Sequence, residues 1–293
     1  MEKKTEIKTI EALYSPGSSS DQEDGLINNY PFFGVIDAFS APYDPEQGGP
    51  IRFDGLSGGE KIKQIILKAF YSADQKDSLE KTILRSNKNI AEFWTEQKIP
   101  LSRSDLLAGA SFIFAKMMPD KKSIKIIQGG DCIAGWIHSF ININFTPNQA
   151  YAHDSETIRA MAEIMEKNKG SRKNLWRDHC PQLCRLRLRD QNQPNIETGL
   201  AILNGQLGVK YCWQKTNIPL KKLDVLLLFS DGFVPAAETG VTKESIMEAI
   251  KFYRGGNLSD FLKETRSLRV LQKNKTHTDF PEATALGIKF FPS

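Results

Sequence analysis

Residues 226–233 read LLLFSDGF, and how this stretch is read decides the rest of the chain. Five apolar residues, Val225 to Phe229, run without a break; Ser230, Asp231 and Gly232 follow. Such a run predicts a buried strand. A carboxylate at its mouth needs a reason. An ion taken from water without a partner costs several kcal/mol, comparable with the net stability of a whole domain. Asp-Gly after a strand is also a common turn signal. Asp231 is therefore either turned to solvent at a corner or placed to meet a positive charge, and one strand does not separate the two.

The pattern recurs. Asp37 follows FFGVI, Asp131 follows IKIIQGG, and Glu282 directly precedes the last strand-like stretch, ATALGIKFF. A further pair, Glu23 and Asp24, closes the small-residue loop 15–25 just ahead of YPFFGVIDAF. Acids at the same kind of position on several strands can converge at one rim of a sheet. Carboxylates brought that close repel and gain proton affinity unless a cation intervenes. Carboxylate, carbonyl and water oxygens are the ligands that Mg²⁺ and Mn²⁺ prefer. No histidine stands among these acids, which argues against a zinc-type centre.

The chain has 293 residues, 40% hydrophobic and 25% charged, enough apolar material for a sizeable globular core. Its 39 basic and 35 acidic residues leave a net charge of +4, too weak to argue for nucleic acid by itself. There is no apolar run of about 18 residues and no secretion-signal core, so the expectation is a cytoplasmic protein with no membrane partner. Helical spacing is predicted after Gly59, over roughly 76–97, over 154–167, near 242–254 and near 258–272. Strands are predicted at 32–36, at 109–117, as a meander through 123–140, as a hairpin within 199–215, at 223–229 and at the end. Strand runs of antiparallel style interleaved with long helices indicate an α+β layered domain. His179, Cys180 and Cys184 lack the second half of a zinc pattern and read as packing or surface residues.

In order and context these stretches resemble the metal-dependent serine/threonine protein phosphatases, the PPM or type 2C family. The resemblance is carried by DQED (21–24), GVIDA (34–38), GGDC (129–132), LLLFSDG (226–232) and PEAT (281–284), of which LLLFSDG is the most specific. It covers the chain from about residue 10 to the end and implies one phosphatase-like domain over 1–293. The implied fold is a four-layer α-β-β-α sandwich of two antiparallel sheets flanked by helices. The implied chemistry is hydrolysis of phosphoserine or phosphothreonine by water held between two divalent ions, Mn²⁺ or Mg²⁺, with a weaker third position. Asp37 is then the bridging ligand, and Ala38 offers a carbonyl where the family has glycine. Asp231 and Glu282 hold the second ion. Glu23 and Asp24 orient water, and Asp131 stands near the third position. The partner is a phosphorylated protein, and the chain is expected to be a monomer.

The sequence also departs from the family pattern. AFSAPY replaces the glycine pair after the first aspartate, and FDGLSGG offers Asp54 as a rival to Asp37. Serines 18–20 stand where many members carry a phosphate-gripping arginine, and Pro235 replaces a second aspartate. Pro281 falls on the usual terminal aspartate, leaving Glu282 one residue late. These losses keep open a catalytically weak relative that binds a phosphoprotein. A third possibility is nucleic-acid binding through RLRLRDQ (185–191). That stretch alternates like an edge strand with one charged face and has no interleaved aromatics to stack on bases.

Overall fold

A computed structural model describes residues 6–44, 49–139, 141–167, 175–194, 199–237, 240–272 and 280–291. The chain opens with β1 (Ile7–Ser15), β2 (Asp24–Asn29), β3 (Phe32–Phe39) and a small ribbon of β4 (Arg52–Phe53) and β5 (Leu56–Ser57). Helices α1 (Gly58–Tyr71) and α2 (Leu79–Glu96) follow, then β6 (Gly109–Met117), β7 (Ser123–Gly129), β8 (Ile133–His138) and β9 (Asn142–Phe145). Next come α3 (Tyr151–Lys167), α4 (Leu175–Asp190) and a single turn, α5 (Val209–Cys212). The last third holds β10 (Gln214–Pro219), β11 (Leu223–Phe229), a ribbon of β12 (Ala236–Ala237) and β13 (Gly240–Val241), helices α6 (Lys243–Gly255) and α7 (Leu258–Gln272), and β14 (Ala283–Phe290).

Ten strands form two five-stranded antiparallel sheets, ordered β1-β14-β11-β8-β9 and β10-β7-β6-β3-β2. Their facing surfaces enclose one core, which includes Phe33, Val35, Ile113 and Ile126 from one sheet and Leu226, Leu228, Leu286 and Ile288 from the other. The outer face of the second sheet is covered by Ile62, Ile66, Phe70, Ile83, Ile90 and Trp94 of α1 and α2. The outer face of the first is covered by Ile246, Ile250 and Tyr253 of α6 and Phe261 of α7. The result is a four-layer α-β-β-α sandwich, as the resemblance implied. It also explains the unbroken apolar run in β11. Leu226 and Leu228 point between the sheets, Val225, Leu227 and Phe229 point at the helices, and neither face meets water.

Several expectations are corrected. The stretch 123–140 is not one meander: β7 pairs with β6, whereas β8 pairs with β11 in the opposite sheet. Gly130, at a φ of +76°, makes the crossover between them. Within 199–215 there is no hairpin; the turn α5 precedes β10, which pairs with β7. The RLRLRDQ stretch is the end of α4 and not an edge strand. There Arg187 is buried, whereas Arg185 and Arg189 stay exposed, Arg189 tied to Asp190 and Glu156. Strands β1 and β2 precede the first strand expected, and their modest hydrophobicity hid them: β1 is a sheet edge with half its residues turned to solvent. No helix among the described residues is long and apolar enough to cross a membrane.

Candidate active site

Strand alternation sets the site. Asp37 continues the inward-facing series Phe33, Val35 on β3, at the point where the gap between the sheets opens. Asp24 is its cross-strand neighbour on β2, and Ser111 of β6 faces it on the other side. Ser230 continues the inward series of β11, and Asp231 follows at the outer lip. Asp131 follows the Gly130 crossover. The acids therefore occupy the rim where the shared core reaches the surface.

The Asp37 and Asp231 carboxyls, from strands of opposite sheets, approach each other at this rim, a crowding of like charges that favours the protonated form of Asp37. Loss of hydration raises Asp37 well above the ordinary carboxylate range, and the charges of Asp24, Asp131 and Asp231 add to it. Burial first and the charge of Glu282 second push Asp24 up to about 7, against hydrogen bonds that favour its ionised form. One of these is donated by the Ser230 hydroxyl at 2.9 Å. That hydroxyl also accepts from the Thr284 amide at 3.1 Å, so β2, β11 and β14 are joined through one oxygen. Asp131 is likewise raised to about 7, chiefly by burial and then by Asp231, against a hydrogen bond from Ser111. Its Oδ1 is buried with no hydrogen-bond partner. Gly232 completes the corner: a Cβ there would lie 1.8 Å from the Glu282 carbonyl oxygen, so only glycine fits after Asp231.

Other expected residues are placed differently. Glu23 turns away from the rim toward the start of α1. Its Oε1 accepts from Ser40 and, at 2.6 Å, from Ser57, the capping residue of that helix. The Glu282 carboxylate spans the acidic loop, accepting from the Glu23 amide at 2.6 Å, the Asp24 amide at 3.2 Å and the Tyr14 hydroxyl at 2.9 Å. Ala38 is buried and sits opposite Ala110 in the β3–β6 ladder. Asp54 is not at the rim at all. It lies in the β4–β5 turn with a φ of 50°, its side chain 90% exposed and bonded to Lys61. Asp154, in the first turn of α3, was not anticipated, because an acid near a helix start is ordinary in sequence. Burial and the charges of Asp131 and Asp231 raise it to about 8.

Among the described residues no group of three or more His, Cys, Asp or Glu side chains forms a ready-made metal cage. The side chains of His179 and Cys180 lie outside the described residues. The chemistry of the rim nevertheless fits a hard cation: oxygen donors only, carboxylates from two sheets crowded together, and an orphaned buried carboxylate oxygen on Asp131.

No family model matches the chain, and no curated protein matches it. Solved structures do. The catalytic domain of the serine/threonine protein phosphatase PstP, in complex with two manganese ions, superposes with a TM-score of 0.56 at 14% identity, covering 96% of this chain and 97% of that one. Stp1 from Staphylococcus aureus gives 0.54 at 14% identity over 99% and 97% of the two chains. The PPM Ser-Thr phosphatase MsPP from Mycobacterium smegmatis gives 0.52 at 14% identity over 97% and 98%. The chain has the PPM phosphatase fold. In this PPM fold the similarity runs from end to end, while the identity is too low to carry over activity.

Proposed function

We propose that the chain is a metal-dependent phosphatase acting on phosphoserine and phosphothreonine in proteins. The observation that carries this reading is the Asp37–Asp231 contact. Two carboxyls from different sheets, far apart in sequence, meet at the rim of a fold shared with serine/threonine phosphatases. When bound, Mn²⁺ or Mg²⁺ supplies Lewis acidity, lowering the pKa of water and neutralising charge on phosphoryl oxygens.

The chain's own residues do the rest. Asp37 and Asp231 would hold the cations, with the Ala38 carbonyl beside Asp37. Asp24 and Asp131, each near pH 7, are matched to holding and releasing a proton at their carboxyl oxygens under neutral conditions. Glu23 and Glu282 position the acidic loop, Glu23 by its bonds to Ser40 and Ser57 and Glu282 by its grip on two backbone amides. The substrate is a phosphorylated protein, and the chain works as a single-domain monomer in the cytoplasm. Nucleic acid is not a partner.

A second reading, a phosphoprotein-binding relative with weak or no turnover, is favoured by one observation. Both oxygens of Glu282, the acid expected at the second ion, are engaged by protein donors. Hydrolysis of a phosphothreonine peptide separates the two. The phosphatase reading expects turnover that requires Mn²⁺ or Mg²⁺, stops with EDTA, and is lost in Asp37→Asn and Asp231→Asn. Turnover that persists in EDTA or in Asp231→Asn rejects it. Mn²⁺ binding without turnover selects the second reading.

A further inference from the structure

The two ends of the sandwich differ in charge. Asp37 lies near the end of β3 and Asp231 follows β11, so the acidic rim occupies one end of both sheets. Strand register fixes what lies at the other end. Phe32 pairs with Lys116, Met117 with Ile124, Ser123 with Pro219, and Leu223 with His138. The turns 118–122 and 220–222, together with Ser139 and Ile141, therefore share the end opposite the rim.

Backbone hydrogen bonds join these turns into one strip. The Leu220 amide donates to the Lys122 carbonyl at 2.8 Å, and the Ser139 amide donates to the Lys222 carbonyl at 2.9 Å. Each turn places a non-glycine residue in the left-handed region, Lys121 at a φ of 53°, Lys222 at 61° and Ser139 at 52°. The strip presents Lys121, Lys122, Lys221 and Lys222, all exposed. Lys251 of α6 extends it, lining one groove with Ile141 and Asn142. Against these cations stand Glu6, Asp120 and Asp224, and Asp120 accepts the Lys122 amide at 3.0 Å. Apolar side chains stand among the lysines. Ile141 is 82% exposed, and Tyr30, which borders a groove with Lys121, is 46% exposed. Their apolar surface leaves water only against a partner.

We propose that this end docks on an anionic membrane surface. The lysines meet lipid headgroups, and Ile141 and Tyr30 enter the boundary between headgroups and acyl chains. Reversible binding to anionic lipid uses this pairing of cations with apolar side chains. The groups stand on turn tips across one end of the molecule, which suits a broad and adaptable surface. The same surface repels the acidic rim, so its field turns the rim outward, away from the lipid. The contact is peripheral, since no helix among the described residues is long and apolar enough to cross a bilayer. It replaces the expectation of no membrane partner, which rested on the lack of an apolar span and of a secretion signal. The phosphatase reading is not needed for it.

The test is sedimentation of the purified full chain with phosphatidylcholine vesicles, with and without phosphatidylserine, at low and raised salt. The wild type should bind only the vesicles that contain phosphatidylserine, and less at raised salt. Lys221→Gln combined with Lys222→Gln should weaken binding by about tenfold or more. Lys88→Gln combined with Lys98→Gln removes the same charge from exposed positions on and just beyond α2, and should bind as the wild type does. Ile141→Ser should weaken binding and keep its salt dependence. Equal losses in the two double variants would reduce the effect to net charge and overturn the proposal. Ile141→Ser binding as the wild type does would overturn the apolar contact. A wild type that ignores phosphatidylserine vesicles would overturn the whole, and its salt-sensitive retention on polyglutamate resin would assign the strip to an acidic protein partner instead.

Discussion

Gly59 has no room for a side chain. A Cβ there would lie 2.5 Å from the Glu23 carboxyl, whose seat is made by Ser40, Ser57 and the first turn of α1. Gly59→Ala is expected to destabilise the protein by about 1–3 kcal/mol through this overlap, read as a lower urea midpoint with an unchanged slope. Ser230→Ala removes the oxygen that joins Asp24 to the Thr284 amide. It should cost about 1–3 kcal/mol, because a buried acceptor and a buried donor both lose their partner; an unchanged urea midpoint would refute this. At this scale the sequence was informative where an acid ends a strand. Asp37 and Asp231 were legible as a pair because each terminates an apolar run. Asp54 was separable from Asp37 on the same ground. The direction in which Glu23 and Glu282 point was not legible, since it depends on hydroxyls and amides from distant segments. Asp154 gave no signal, because its burial comes from the docking of α3, where the Gln149 amide donates to the Gly130 carbonyl.

Among the elements, β11 carries the clearest test of the sandwich. Leu227 faces α6 and Leu228 faces the opposite sheet, and both are fully buried. Each truncated to alanine should cost about 2–5 kcal/mol, with similar losses on the two faces. A one-sided sheet would instead show a large loss for one and almost none for the other. Long helices with regular apolar spacing were legible: α1, α2, α6 and α7 fall within a few residues of their expected bounds. Strands with strong apolar runs were legible too, but which sheet each joins was not. The sequence around Gly129 and Gly130 looks the same whether the chain turns back in its own sheet or crosses to the other. The alternating Arg and Leu at the end of α4 misled for a similar reason. A period of two over six residues also fits a helix whose arginines divide between the interior and ion pairs, as Arg187 and Arg189 do.

For the molecule as a whole, the acidic rim sets a pH dependence. Asp24 and Asp131 at about 7, and Asp154 at about 8, lie above the ordinary carboxylate value near 4. These groups bind protons more tightly folded than unfolded. Their contribution to stability is complete below the unfolded value and is lost as pH rises through about 4 to 8. The metal-free protein should therefore melt at a lower temperature at pH 8 than at pH 5, other titrations aside, and Mn²⁺ at pH 8 should restore the difference. Scanning fluorimetry in EDTA and in Mn²⁺ measures both. A metal-free melting temperature that is flat or rising over this range would contradict the crowding of these carboxylates.

The order of strands bears on how the protein is made. One sheet, β10-β7-β6-β3-β2, has all its members once residue 219 has been synthesised. The other places β14, residues 283–290, between β1 and β11, so the earliest strand to leave the ribosome waits for the latest before it has a neighbour. Because Glu282 sits at the head of that late strand and grips the acidic loop, the rim stays open until the final strand slots in. A nascent chain that has not yet reached β14 would thus possess most of its core while the acidic loop still lacks the clasp of Glu282.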